Sequence, residues 1–171
     1  MIILDKNKFE QFYDLLEKSF PSDERRDYDK QKQLFDNARY TVYAKLDGDR
    51  LIGFLATWKL ESSSYIEHFA VAPEYRNKGL GSRMLQETIG IVGSNLFLEV
   101  EPPENDLEKR RIAFYKRNGF IFNDFPYAHP AYGKDKNPVV LKIMTYKSPV
   151  TQFDFEKIKK NLFKEVYNTN L

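Results

Sequence analysis

Arg76, Asn77, Lys78, Gly79, Leu80 and Gly81 spell R-x-x-G-x-G, and the flanking residues give that spelling its chemistry. Before it lies an apolar run of strand length, Ile66 to Ala72, closed by Pro73. After it, Leu80, Met84, Leu85, Thr88, Ile89 and Val92 recur on one face at helical spacing. A glycine-rich turn between a strand and a helix aims several backbone N–H groups and the positive end of the helix dipole at one point. Arg76, Lys78 and Arg83 add full charges there, and Gly79 and Gly81 let a ligand approach the backbone closely, so the turn reads as a seat for phosphate. A second residue able to do chemistry lies just upstream. In a regular strand Glu67 shares a face with Tyr65, Phe69 and Val71, where a carboxylate is costly unless it has a partner or a task. His68 then falls on the opposite face and reads as a satisfied buried histidine.

The chain that positions these groups has 171 residues, 42% of them hydrophobic and 15% aromatic, enough for a substantial core in one domain. That domain is expected over residues 1–150, with a last helix inside 151–171 packing on it or on a partner chain. A homodimer contact is expected on that helix. The formal net charge is only +2 and basic residues alternate with acidic ones, which argues against a nucleic-acid partner. With no cysteine there is neither a disulfide framework nor a thiolate zinc site nor a cysteine nucleophile, as suits a reducing cytoplasm. His68 and His129 are too few for a histidine-rich site, so no metal is expected. Met1 to Asp5, followed by Lys6 and Lys8, lack the apolar core of an export signal, and no run approaches the ~20 apolar residues of a membrane span. A cytoplasmic protein without a membrane partner is expected.

In chain order, Ile2 to Leu4 reads as a short strand, and Asn7 with Glu10 as a capping pair for a helix whose apolar face is Phe9, Phe12, Tyr13, Leu16 and Phe20. Pro21 ends it. Ser22 to Asn37 is highly charged and reads as an exposed helix or a lid. Arg39 to Leu46 alternates, Asp47-Gly48-Asp49 turns, and Leu51 to Trp58 returns, which makes a β-hairpin. Asn95 to Glu101 is a strand with Leu96, Leu98 and Val100 on one side and Phe97, Glu99 and Glu101 on the other. A helix follows from about Asp106 to Arg117, with Asn118-Gly119 as its exit. Phe120 to Phe122 and Val139 to Tyr146 are the last strands. The loop between them, Phe125 to Asn137, is long enough to suggest a binding role, and Gln152 to Tyr167 is the last helix.

Two segments together resemble the GNAT superfamily of acyl-CoA-dependent N-acyltransferases: Ile66 to Tyr75 followed by Arg76 to Gly81, and Ala113-Phe114-Tyr115-Lys116-Arg117-Asn118-Gly119-Phe120. The resemblance covers roughly Tyr40 to Tyr146. It implies an α/β (α+β) fold with a mixed, mostly antiparallel sheet of about six or seven strands and helices on both faces. The sheet would splay between strands 4 and 5, Tyr65–Ala72 and Asn95–Glu101, to admit a pantetheine arm. Acetyl-CoA would be the acyl donor, its pyrophosphate on Arg76, Asn77, Lys78, Gly79, Leu80, Gly81 and Ser82, its pantetheine along the backbone of Phe69 to Val71. Many members carry an Asn where this chain has Glu108, with Asn105 three residues earlier, so that contact does not transfer.

The resemblance thus implies an N-acetyltransferase acting by direct attack of a primary amine on the thioester. Positioning alone can supply much of such a rate, so no covalent intermediate is needed. It implies Tyr115 as the acid for the leaving thiolate, Glu67 as the base, and a backbone N–H near Val71 for the oxyanion. Glu99 and Glu101 rival Glu67 or bind a cationic acceptor. Tyr127 and His129 border the acceptor pocket, and Asp23 to Arg26 form its other wall. The acceptor is read as a small cationic amine; the alternatives are a peptide or protein amine, and a CoA-binding module without turnover.

Overall fold

The computed structural model describes residues 1–169. The hairpin is its frame: β2 (Tyr40–Asp47) pairs antiparallel with β3 (Arg50–Lys59) from Tyr40 opposite Trp58 to Asp47 opposite Arg50. β3 is buried along nearly its whole length, as a central strand covered on both faces must be. With β1 (Ile2–Ile3), β4 (Ser64–Val71), β5 (Leu96–Val100), β6 (Phe120–Asn123) and β9 (Lys142–Tyr146) it forms a seven-stranded sheet in the order β1-β2-β3-β4-β5-β9-β6. The β4–β5 pair is parallel and short. Only Ser64, Tyr65 and Ile66 find partners, in Leu96, Phe97 and Leu98; beyond Glu67 and Glu99 the two strands separate.

Each face carries its own core. On one, α1 (Phe9–Ser19) and α5 (Gln152–Glu165) press Phe9, Phe12, Leu16, Phe155 and Leu162 against Phe54 and Tyr65. On the other, α3 (Leu80–Val92) and α4 (Asp106–Arg117) bring Met84, Leu85 and Ile112 onto Leu55, Ile66 and Leu98. α1 is held by this packing rather than by capping. Its N-cap, Lys8, makes no side-chain cap bond, whereas Phe9, Phe12, Leu15 and Leu16 are buried. Burial at roughly 1.5–3 kcal/mol per large side chain outweighs a cap of about 1 kcal/mol. Gly53 sets how closely α3 meets the sheet: a Cβ there would lie 2.8 Å from Cε of Met84.

Four local expectations change. Asp5, rather than Asn7 with Glu10, does the capping: its carboxylate accepts from the Asn7 N–H and closes a 3-10 turn, Lys6–Lys8, ahead of α1. Ser22 to Asn37 forms neither one exposed helix nor an open lid. It folds into a 3-10 turn at Ser22–Glu24, the six-residue α2 (Tyr28–Gln33) and a turn at Leu34–Asp36, and it buries Arg26 and Gln31. The strand expected over Val139 to Tyr146 breaks at Leu141, whose N–H donates to the Tyr127 carbonyl; β8 (Val139–Val140) pairs instead with β7 (Ala128–His129).

The fourth change matters most for function. β4 bulges: Ala56 of β3 faces His68 while the next residue, Thr57, faces Ile66, so Glu67 is the extra residue. The bulge breaks the two-residue alternation. Tyr65, Glu67 and His68 therefore lie toward the face that carries Trp58, while Ile66, Phe69 and Val71 serve the α3 face. Glu67 does not share a face with Phe69 and Val71, and His68 is not opposite to it: His68 Nδ1 lies 3.7 Å from a Glu67 oxygen.

Candidate active site

The separation of β4 from β5 opens a single cavity of about 630 Å³. At its mouth stands the turn before α3. Gly79 adopts φ +72 and Asn77 φ +59, left-handed conformations that bring the chain round sharply into the helix. The first backbone bond of α3 runs from the Arg83 N–H to the Gly79 carbonyl, which leaves the N–H groups of Leu80, Gly81 and Ser82 to point out of the helix start. Arg76 donates from Nε to the Val71 carbonyl at 2.7 Å, which pins the guanidinium at the cavity edge with its terminal amino groups free of protein hydrogen bonds among the described residues. Asn77, Gly79, Gly81 and Ser82 line the same wall. Lys78 does not line it; its ammonium turns back to the Glu74 carbonyl. The Leu80 side chain is in the core, so only its backbone can serve. On α4, Asn105 and Glu108, the two positions where the family's Asn contact did not transfer, form a reciprocal capping box at the start of the helix.

Phe69 and Val71 lie midway along the cavity, on the strand edge that β5 has left. Beyond them α4 supplies Tyr115. Its ring packs against Phe114 and Phe120 at 5.2 and 5.7 Å, and its hydroxyl has no hydrogen-bond partner among the described residues. Burial pushes the phenol up to about 12, against the pull of Arg111 and with the help of Glu101, so it stays protonated. Glu101 and Arg111 form an ion pair on the cavity wall.

The inner end is acidic and aromatic. Glu99 accepts from the Tyr65 hydroxyl and, at 2.9 Å, from the Tyr167 hydroxyl; its other oxygen is buried and unpartnered among the described residues. His129 stacks on Tyr167 at 5.3 Å and 6° and lies beside Tyr132, with Nδ1–H donating to the Pro130 carbonyl. Tyr127 stands behind this wall, packed on Phe155 and Phe163.

Glu67 is engaged from three sides. Arg26 Nη1–H donates to it at 2.6 Å, the Trp58 indole at 2.9 Å and the Tyr132 hydroxyl at 2.9 Å, with its side chain out of solvent. Burial pushes this carboxyl up, but Arg26 with its other neighbours more than offsets that and holds it below the ordinary value. Arg26 lies over the rings of Tyr132 and Trp58 and donates its second amino group to the Val166 carbonyl. The N-terminal segment, the bulge, the 125–137 loop and the end of α5 thus converge on one ion pair.

The sequence reading did not find Trp58, Tyr167 or Arg111, placed Glu24 and Arg26 only within a general wall, and placed Tyr132 only within a loop expected to border the pocket. Glu24 lines the cavity, and burial together with Glu101 raises its carboxyl to about 7, with Arg111 pulling the other way and Glu99 and Asp23 adding to the rise. Among the described residues no group of three His, Cys, Asp or Glu is arranged to hold a metal, and no helix is long and apolar enough to cross a membrane.

Comparison with known proteins agrees with this geometry. The family model described as "Acetyltransferase (GNAT) family" matches residues 9–120. No curated protein matches the chain. Among solved structures, a GNAT-family chain from Bacteroides thetaiotaomicron is 29% identical with a TM-score of 0.89, over 99% of this chain and 98% of that one. An aminoglycoside 6'-N-acetyltransferase complexed with coenzyme A is 17% identical with a TM-score of 0.64, over 89% and 100% of the two chains. The ribosomal-protein-S18-alanine N-acetyltransferase from Escherichia coli is 19% identical with a TM-score of 0.66, over 88% and 95%. At those identities the last two show a shared fold.

Proposed function

The chain belongs to the GNAT family of N-acetyltransferases, and from that premise we propose that it transfers acetyl from acetyl-CoA to a primary amine of a small cationic molecule by direct attack. One observation carries the reading: a single cavity runs from a basic turn with free N–H groups, past an unpaired strand edge, to a chamber walled by Glu24, Glu99 and Glu101 with His129 and Tyr132. An anionic donor tail suits the first end and a cationic acceptor the last. Arg76, Asn77, the backbone of Gly79 to Gly81 and Ser82 would hold the pyrophosphate. Phe69 and Val71 would pair with the pantetheine amides as an added strand does. The sulfur would then lie near Tyr115, which donates a proton as the thiolate leaves, and a backbone N–H near Val71 would take the oxyanion.

The ion pair with Arg26 leaves Glu67 a weak proton acceptor. Its contribution to this mechanism is to fix the bulge and to hold Arg26, and with it the chamber wall, in place. Tyr132 of the loop lines the chamber, and Tyr167 of the C-terminal segment ties down Glu99 behind it, which suits a small acceptor better than a folded protein chain. Thiol release from acetyl-CoA measured across a panel of small amines and peptide N-termini tests the reading. Turnover with di- or polycationic small amines supports it, turnover with peptides alone replaces the acceptor class, and CoA binding without release from any amine makes the chain a binding module. The donor seat has its own check. Arg76→Glu places a negative charge where the pyrophosphate would sit, and calorimetry should show CoA affinity at least about tenfold weaker, with the difference shrinking as salt screens the charges.

A further inference from the structure

Glu24 ends the short turn Ser22–Glu24, and its backbone is held on every side. Its N–H donates to the Pro21 carbonyl, and its carbonyl accepts from His68 Nε2–H at 2.8 Å. Arg25 is tied to the Phe20 carbonyl and the Tyr13 hydroxyl, and Arg26 to Glu67 and Val166. The Glu24 side chain nevertheless lines the cavity shared with Tyr115, and its carboxylate makes no hydrogen bond among the described residues. Every other carboxylate in the chamber is engaged: Glu67 by Arg26, Glu99 by two tyrosine hydroxyls, Glu101 by Arg111. A fixed backbone carrying a free carboxylate at the acceptor end is what a proton acceptor needs.

We propose that Glu24 is the general base that deprotonates the acceptor ammonium, an assignment that rests on the acetyl-transfer reading above. The ammonium gives one proton to the Glu24 carboxylate. The freed nitrogen attacks the thioester carbonyl carbon, the C–N bond forms, and the C–S bond breaks as the Tyr115 phenol protonates the departing sulfur. The nitrogen's second proton restores the phenol through water, and Glu24 releases its proton to solvent. The sum is ammonium plus thioester giving amide, thiol and one proton. The groups around Glu24 are Asp23 on its own turn, Glu99 on β5, Glu101 just past its end, Arg111 on α4 and His68 on β4, the last kept neutral because burial lowers its pKa; Lys18 of α1 lines the same cavity but pairs with Asp14. Burial first, then Glu101, Glu99 and Asp23 against the pull of Arg111, raise the carboxyl to about 7, which narrows the gap to an amine of pKa ~10 and makes it a better base than an ordinary carboxylate.

The pH dependence of kcat/KM in the full chain tests this, with acetyl-CoA and two amines of different pKa that turn over. The wild type should show an acidic limb near 7 that is the same for both amines. Glu24→Gln should lose on the order of 10²-fold at neutral pH, recover as pH rises toward the amine's pKa, and keep its affinity for CoA. Glu101→Gln should move the wild-type limb to lower pH, because it removes a neighbouring negative charge and frees Arg111, and both favour the ionised Glu24. An unchanged rate and limb in Glu24→Gln, or a limb that stays put or rises in Glu101→Gln, overturns the assignment. Should Glu24→Gln fail to bind CoA through misfolding, the Glu101→Gln limb decides alone. A wild type that releases CoA with no amine removes both this assignment and the acetyl-transfer reading; turnover with an indifferent Glu24→Gln removes this assignment only.

Discussion

Arg26→Met lowers the unfolding free energy by about 3–5 kcal/mol at pH 7, because it leaves the Glu67 carboxylate buried without its cation. Met fills much of the space between Trp58 and Tyr132, so the loss is one of charge more than of volume. The pH dependence identifies the cause. In the native protein Glu67 is held below its ordinary value of 4.5, so the pair's stabilisation is complete above that pH and is lost as pH falls through the depressed value. In Arg26→Met the burial term stands alone and the Glu67 carboxyl rises above its unfolded value. The variant is then penalised most at neutral pH and recovers as the carboxyl protonates, so its deficit narrows between pH 7 and pH 4. Adding Glu67→Gln to Arg26→Met keeps an amide oxygen to accept from the Trp58 indole, lets the amide N–H donate to the Tyr132 hydroxyl oxygen once that hydroxyl turns, and removes the stranded charge, so it should restore a sizeable part of the loss. Denaturant titrations of the three proteins from pH 4 to pH 8 measure this. A deficit independent of pH, or a double variant no better than Arg26→Met, would show that the pair acts through packing alone.

That ion pair also marks where the sequence stops being legible. The stretch from Tyr65 to Gln86 can be read locally, since a strand, two glycines, three cations and a helical stripe are neighbours in the chain. The hairpin and the Ala113 to Phe120 segment are legible for the same reason. Glu67 is not, because the argument for its face assumes an unbroken two-residue period, and a one-residue bulge between Ala56–His68 and Thr57–Ile66 moves His68 onto its side. Its partners are further hidden. Arg26 is 41 residues away in a segment with no apolar periodicity, Tyr132 is 65 away in an irregular loop, and Arg26 reaches Val166 across 140 residues. Glu24 looks like one solvated acid among many until the fold sets it beside Glu101. The proposed donor half of the site is built from one contiguous stretch, and the proposed acceptor half from segments that only the tertiary structure brings together.

Tyr115→Phe separates binding from chemistry more cleanly than any other change in that assembled site. The ring is buried against Phe114 and Phe120, and its hydroxyl bonds to no described residue, so the variant should lose less than about 1 kcal/mol of stability. The turn proposed to hold CoA, Arg76 to Ser82, makes no hydrogen bond to Tyr115 among the described residues and should be untouched. The rate should respond differently. Without the phenol the sulfur must leave as an unprotonated thiolate in a chamber that already holds Glu24, Glu99 and Glu101. General-acid assistance of this kind is worth on the order of 10²–10⁴-fold, and removing it should lower kcat by about that much while KM for acetyl-CoA changes little. Since burial pushes the phenol up to about 12, the wild type should show no alkaline loss of activity from Tyr115 below about pH 10, so the two profiles run parallel there instead of converging. Thioesters with more acidic thiols supply the last discriminator. Their thiolates leave without help, so the gap between Tyr115→Phe and wild type should close as the leaving thiol becomes more acidic, and a gap of constant size would show that Tyr115 positions the donor without protonating it.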